Sequence, residues 1–213
     1  MVLDSQRENV EPVLLVIAKR FSRVDPNVLT WMSIVFAFIA GLFFYFSSPD
    51  FELLNYFLFA AALFVFLNGF FDAIDGKVAK LTNKVSKRGD FLDHALDRYA
   101  DVFMVGGLAL SPWCRWPSVG LLAMIGVLLT SYMGTQAQAI GYKRDYSGLL
   151  GRADRLVMLM IVPLIQHILL HYDLQMIWGF YLLEWVLIYF AVVGNLTAVQ
   201  RFYSTLKWFK RKK

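Results

Sequence analysis

The 213-residue chain is 58% hydrophobic and only 17% charged, with a mean hydropathy of +0.53, which excludes an ordinary soluble domain, where roughly 25% of residues are charged. A net charge of +5 does not point to nucleic acid, because the basic residues have no soluble surface to occupy; anionic lipid headgroups suit them better. The single cysteine, Cys114, excludes an intramolecular disulfide.

Residues 1–9 are polar, and the apolar stretch that follows is broken by Lys19, Arg20 and Arg23. No cleavable signal is expected, so the first true span must start insertion. Val10, Val13, Leu14, Ile17 and Phe21 recur at helical spacing, with Glu11, Lys19 and Arg20 elsewhere around the wheel, which predicts an interfacial amphipathic helix. Asp25-Pro26 supplies a capping carboxylate and a proline suited to the first helical position.

Apolar runs near the ~20 residues needed to cross a bilayer lie close to Val28–Phe46, Leu53–Phe71, Phe91–Leu110, Ser118–Ala139, Leu156–Leu170 and Met176–Val199. The expected fold is therefore all-α: six transmembrane helices in a single membrane domain, with a cytoplasmic amphipathic segment at 1–26, a bundle at 27–203 and a basic tail at 204–213. With both termini on one side, every Lys and Arg except Arg115 collects on that side. The positive-inside rule makes that face cytoplasmic.

The chemistry lies where the second span meets the third. Asp72 and Asp75 stand one helical turn apart, as do Asp93 and Asp97, so each pair shares a helix face. A short connection predicts that the two helices are antiparallel neighbours and that four carboxylates converge at the membrane boundary, where ionisable groups are costly without a partner. Oxygen donors favour Mg²⁺, Mn²⁺ or Ca²⁺ over zinc, and four carboxylates suffice for two ions clamping phosphate oxygens. The competing reading is a set of solvated helix-end carboxylates paired with Lys77, Lys80 and Arg98. One acidic pair would be read that way; two pairs flanking a glycine-bounded loop between apolar spans are read as a site. Asp90 and Asp101 extend the same ladder and are expected behind the ligands or in solvent. His94 projects about 100° off that face and is expected to pack rather than react.

Asp72, Asp75, Gly76, Ala79, Lys80, Gly89, Asp93 and Asp97 resemble the signature of the CDP-alcohol phosphatidyltransferase family, D-x2-D-G-x2-A-R-x8-G-x3-D-x3-D, with Lys80 where the pattern has arginine. Lysine offers a point charge in place of a planar fork at that position. Pro26-Asn27-Val28-Leu29-Thr30 resembles the family's opening of its first span. The resemblance covers most of the chain and implies six membrane helices behind an amphipathic helix, usually as a homodimer. It implies transfer of a phosphatidyl-type group from a CDP-linked lipid to an alcohol, with release of CMP. It further implies that Asp72, Asp75, Asp93 and Asp97 hold Mg²⁺ or Mn²⁺, two ions being expected, and that Asp97 also takes the acceptor's proton. The CDP donor would lie against Gly76, Ala79, Lys80 and Gly89, the glycines allowing close approach to the backbone.

Gly151-Arg152-Ala153-Asp154-Arg155 and Gln200-Arg201 resemble segments of the branch that uses inositol phosphate, which implies that Arg152, Arg155 and Arg201 hold the acceptor's phosphate. Lys143 and Arg144 share that basic face and are more simply explained by topology. Gln136 and Gln138 stand where that branch carries a lysine. Inositol phosphate, glycerol phosphate and an unphosphorylated alcohol therefore remain open as acceptors, and a diacylglycerol lipid, an ether lipid and a soluble CDP-polyol as donors. Two other classes are an ion-coupled transporter and a catalytically silent subunit; the grouping of the aspartates at one membrane face argues against the first.

Overall fold

The computed structural model describes residues 7–142, 148–172 and 174–212, and these are helical almost throughout. Helix α1 spans Arg7–Arg20, α2 Pro26–Phe46, the short α3 Glu52–Asn55, α4 Phe57–Leu81, α5 Lys87–Ala109, α6 Pro117–Ala139 and α7 Arg152–His171. The last long element is α8, Leu182–Tyr189, continued by a π-helical turn at Phe190–Gly194 into α9, Asn195–Lys212.

Local sequence explains several of the ends. The Asp25 carboxylate accepts from the Asn27 amide at 2.9 Å, and Pro26 opens α2, as its sequence predicts. Ser86 caps α5 by accepting from the Gly89 amide at 3.1 Å. Asp154 closes the start of α7 by accepting from the Gly151 amide at 2.9 Å. Just past the Thr82 cap of helix α4, Asn83 turns the chain with a φ of 54°, the left-handed conformation asparagine tolerates. There Lys84 N–H donates to Ala79 O at 2.9 Å and Asn83 N–H to Lys80 O at 3.4 Å. This reversal leaves only residues 82–86 between α4 and α5. Gly76 and Gly89 consequently lie within helices rather than at the edges of a loop.

Five helical stretches among the described residues are long and apolar enough to cross a membrane: Pro26–Phe46, Leu53–Leu81, Pro117–Ala139, Arg152–His171 and Leu182–Lys210. The last begins later than its hydropathy suggests, because Ile177 and Phe180 pair across a tight turn in which Trp178 and Gly179 adopt positive φ. Helix α5 has 23 residues, about 35 Å at 1.5 Å per residue, but the part up to Asp101 carries Asp90, Asp93, Asp97, Arg98 and Asp101. The exteriors are apolar: Trp31, Val35, Phe38, Leu42 and Tyr45 form an exposed stripe along α2, the surface expected of a helix facing lipid.

Helix α2 is the hub. It packs along both α4 and α5, whereas α4 and α5 have little backbone packing with each other. The expected antiparallel neighbours are thus splayed around α2, and their acidic faces line the gap. Two glycines permit the close fit on one side: a Cβ at Gly41 would collide with the Phe103 carbonyl, and one at Gly107 with the Gly41 backbone. Helix α7 packs on α4, and α6 on α5, α9 and the π-helical turn. Helix α1 lies on α4, where Leu14, Ile17, Ala18 and Phe21 meet Ile74 and Val78, and Lys77 binds Glu11 at 2.8 Å.

Candidate metal centre

Helix α4 contributes Asp72 and Asp75 to the gap and α5 contributes Asp93; one carboxylate oxygen from each of the three lies within 4.8 Å of the other two. A second group, Asp93, His94 and Asp97, meets the same distance. The two groups share Asp93, so the four carboxylates singled out by spacing form one continuous cluster. Hard oxygen donors converging from two helices suit a divalent cation, and the residues present fit one.

Their surroundings differ. Asp75 and Asp97 are buried, Asp72 and Asp93 partly so. The Thr30 hydroxyl donates to Asp75 Oδ2 at 2.6 Å, so α2 orients the most enclosed member of the α4 pair. Arg152 of α7 spans two of the others, Nη1 lying 2.6 Å from Asp72 Oδ2 and Nη2 2.6 Å from Asp97 Oδ1. Arg98 Nη2 is 3.4 Å from Asp97 Oδ2.

One turn further on, the pattern repeats. Asp101 is buried, and its Oδ2 pairs with Arg155 Nη2 at 3.2 Å. The spacing of four on α5 and three on α7 therefore builds two rungs, Asp97 to Arg152 and Asp101 to Arg155. Asp101 stands behind the carboxylate cluster and not in solvent. Arg155 is itself buried, with Nη1 donating to Val127 O at 3.1 Å and both terminal nitrogens 3.4 Å from Ser131 Oγ. Its Nε has no hydrogen-bond partner among the described residues. Arg201 of α9 is also buried and donates from Nη1 to Thr130 O at 2.6 Å. Lys143 and Arg144 lie outside the described residues.

The remaining positions of the motif flank these carboxylates along α4 and α5. Gly76 is exposed, and a Cβ built there would meet nothing within 4 Å, so space adjoins α4 beside Asp75. Ala79 is partly buried and Lys80 exposed on the following turn. Gly89 sits against Ser86 Oγ and Asn27 Oδ1. Asp90 is largely exposed, its Oδ1 3.5 Å from His94 Nε2, while His94 Nδ1 is 3.3 Å from Asp93 Oδ2. His94 thus reaches the cluster's edge despite its angular offset. Thr30 is the residue that spacing did not reveal, although the segment ending in it carried the weaker resemblance at the start of α2.

Comparison with known proteins agrees with this architecture. Archaetidylinositol phosphate synthase of Pyrococcus horikoshii is 30% identical over 184 residues, covering 86% of this chain and 85% of that protein. Phosphatidylinositol phosphate synthase of Cutibacterium acnes is 27% identical over 185 residues, covering 84% of each. The crystal structure of Mycobacterium tuberculosis phosphatidylinositol phosphate synthase with CDP-DAG bound superposes with a TM-score of 0.70 at 23% identity, over 91% of this chain and 94% of that one. The same protein in complex with manganese and citrate gives a TM-score of 0.71 at 22% identity, over 91% and 88%; at these identities the likeness is one of fold. The model of the CDP-alcohol phosphatidyltransferase family matches residues 23–197, from just before α2 to the first residues of α9, and the chain is a membrane enzyme belonging to that family.

Proposed function

We propose that the chain transfers a phosphatidyl or archaetidyl group from a CDP-linked lipid to a polyol phosphate, inositol phosphate being the favoured acceptor, with release of CMP. The observation that carries this reading is the continuous cluster of Asp72, Asp75, Asp93 and Asp97, bridged by Arg152 of α7. These four carboxylates would hold two Mg²⁺ or Mn²⁺ ions, which when bound neutralise the donor's diphosphate and the departing CMP. Asp97 takes the proton from the acceptor hydroxyl while that oxygen bonds to the lipid-bearing phosphorus and the bond from this phosphorus to CMP breaks. The open space at Gly76 lets the nucleotide lie against α4, with Ala79, Lys80 and Gly89 completing its cradle. Lys80 supplies one ammonium there.

Arg152, Arg155 and Arg201 receive the acceptor's phosphate. The unpartnered Nε of Arg155 is a buried donor with capacity to spare, and the relatives named above make inositol-phosphate lipids. In the same reading α5 is the third of six spans, its acidic portion up to Asp101 gathered around the cluster and its remainder, Val102 to Ala109, apolar. Helix α1 lies in the interface, with Val13, Leu15 and Val16 exposed. Both termini and the active site are cytoplasmic, and the enzyme works as a homodimer.

The test is CMP release by the purified chain from CDP-diacylglycerol and CDP-archaeol, each with inositol phosphate, glycerol phosphate or free inositol. Turnover is expected only with Mg²⁺ or Mn²⁺ and most efficiently with inositol phosphate. Metal-independent turnover, or equal use of free inositol, would defeat the assignment.

A further inference from the structure

Arg152 lies between carboxylates from two helices, holding Asp72 Oδ2 and Asp97 Oδ1 at 2.6 Å each. Both contacts are charge-assisted and use separate prongs of one rigid fork, the strong geometry for such pairs. Asp97 Oδ2 faces Arg98, so each Asp97 oxygen is next to a guanidinium. An ion approaching Asp72 through Oδ2, or Asp97 through Oδ1, meets an oxygen already in use.

We propose that Arg152 is a resident counter-cation of the carboxylate cluster, displaced when divalent ions bind. The inference rests on the proposed reading of Asp72 and Asp97 as metal ligands. Without an ion, Arg152 offsets the repulsion that four clustered carboxylates would otherwise feel and keeps the α4 and α5 faces at a fixed separation. The ion's measured affinity is then its intrinsic affinity reduced by the fraction of molecules in which Arg152 has let go. Displacement also releases a guanidinium at the edge of the cluster, free to bind an anion. By linkage, loading the cation and arming Arg152 for a phosphate are one equilibrium.

Mn²⁺ binding to the purified full chain, read from the electron paramagnetic resonance signal of the free ion, tests this without reference to turnover. Arg152→Gln should bind Mn²⁺ about tenfold tighter or more, the scale of a lost charge-assisted contact. Arg152→Lys keeps the charge but cannot span both carboxylates, and should also bind more tightly, by a smaller factor. Unchanged or weaker binding in both variants would show Arg152 to be a structural clamp and overturn the inference. Tightening in Arg152→Gln alone would assign the effect to net charge and overturn displacement equally. Infrared difference spectra of the wild-type chain carrying isotope-labelled arginine guard against variants that fail to fold. Mg²⁺ should shift a guanidinium stretching band, and its absence overturns the inference whatever the variants do. If the wild-type chain binds no Mn²⁺, the metal-ligand reading fails as well, which separates the two failures.

Discussion

Thr30 Oγ1 donates to Asp75 Oδ2 at 2.6 Å, so a hydroxyl of the first span fixes the orientation of a carboxylate on the next long helix. Both groups are buried, and an outer partner of this kind tunes a ligand's orientation and basicity. Thr30→Val keeps the shape and removes the donor. It should weaken Mn²⁺ binding by about tenfold or more, with an unchanged elution profile in detergent. Wild-type affinity in this variant would show that Asp75 needs no help from α2.

Asp97 is expected to differ from the other carboxylates because the proposed reaction asks it to accept a proton as well as to complete the cluster. Asp97→Asn should lower CMP release by about 10² to 10⁴-fold while the Asp72, Asp75 and Asp93 group still binds Mn²⁺. Full activity in this variant would remove the base from Asp97, and loss of all Mn²⁺ binding would make the residue chiefly a ligand.

The acidic cluster was legible because helical spacing alone puts Asp72 with Asp75 and Asp93 with Asp97, and the cap at Asp25-Pro26 was legible from local chemistry. What spacing could not supply was any relation between distant segments. Arg152 lies 80 positions beyond Asp72 in sequence, and nothing in either neighbourhood announces their contact. The splaying of α4 and α5 around α2 escaped for the same reason, since a short connection fixes direction but not which helix fills the space between. The glycines were misplaced because helix propensity in Lys77–Leu81 and the Ser86 cap carry both helices past them. The start of the last span was misjudged because Met176–Tyr181 is as apolar as a helix yet folds as a turn.

The buried rung between Asp101 and Arg155 should position Arg155 for the acceptor. Asp101→Asn removes its charge partner while keeping the side chain's shape. It should raise KM for inositol phosphate several-fold, with a smaller change in kcat and Mn²⁺ affinity within twofold of wild type, on the order of one weakened charge-assisted contact. A matching loss with free inositol as acceptor would show that the rung only stabilises the bundle.

The packing of α2 on α5 leaves no room at Gly41, where a Cβ would press into the Phe103 carbonyl. Gly41→Val should therefore cost about 1–3 kcal/mol of stability, the usual range for an overpacked contact, seen as a lower unfolding temperature in detergent. Because Gly41 lies on the half of α2 away from Thr30, activity measured well below that temperature should fall less than stability does. An unaltered unfolding temperature would mean that the two helices do not approach this closely.

At the end of the bundle away from the carboxylates, Arg115 is held by Glu184. Arg115 Nε and Nη2 reach Glu184 Oε2 at 3.0 and 2.9 Å, the Arg115 amide donates to Oε1 at 3.2 Å, and Nη2 also donates to Gly179 O. The guanidinium lies near the rings of Phe180 and Tyr181. Glu184 has a fully buried side chain whereas that of Arg115 is 38% exposed, so the two are unequal: losing the arginine strands a buried carboxylate, and losing the glutamate leaves a cation that can turn to water. Arg115→Ala should destabilise by about 3 kcal/mol, near the lower end for a broken buried pair because one partner is partly solvated, and Glu184→Gln by less. Replacing both with leucine should recover part of the loss, since an apolar pair carries no desolvation penalty. Unfolding temperatures of Arg115→Ala, Glu184→Gln and the leucine pair, each compared with wild type, check the order. A Glu184→Gln loss equal to that of Arg115→Ala would show that the guanidinium, once unpaired, stays confined inside the bundle and gains nothing from the water beside it.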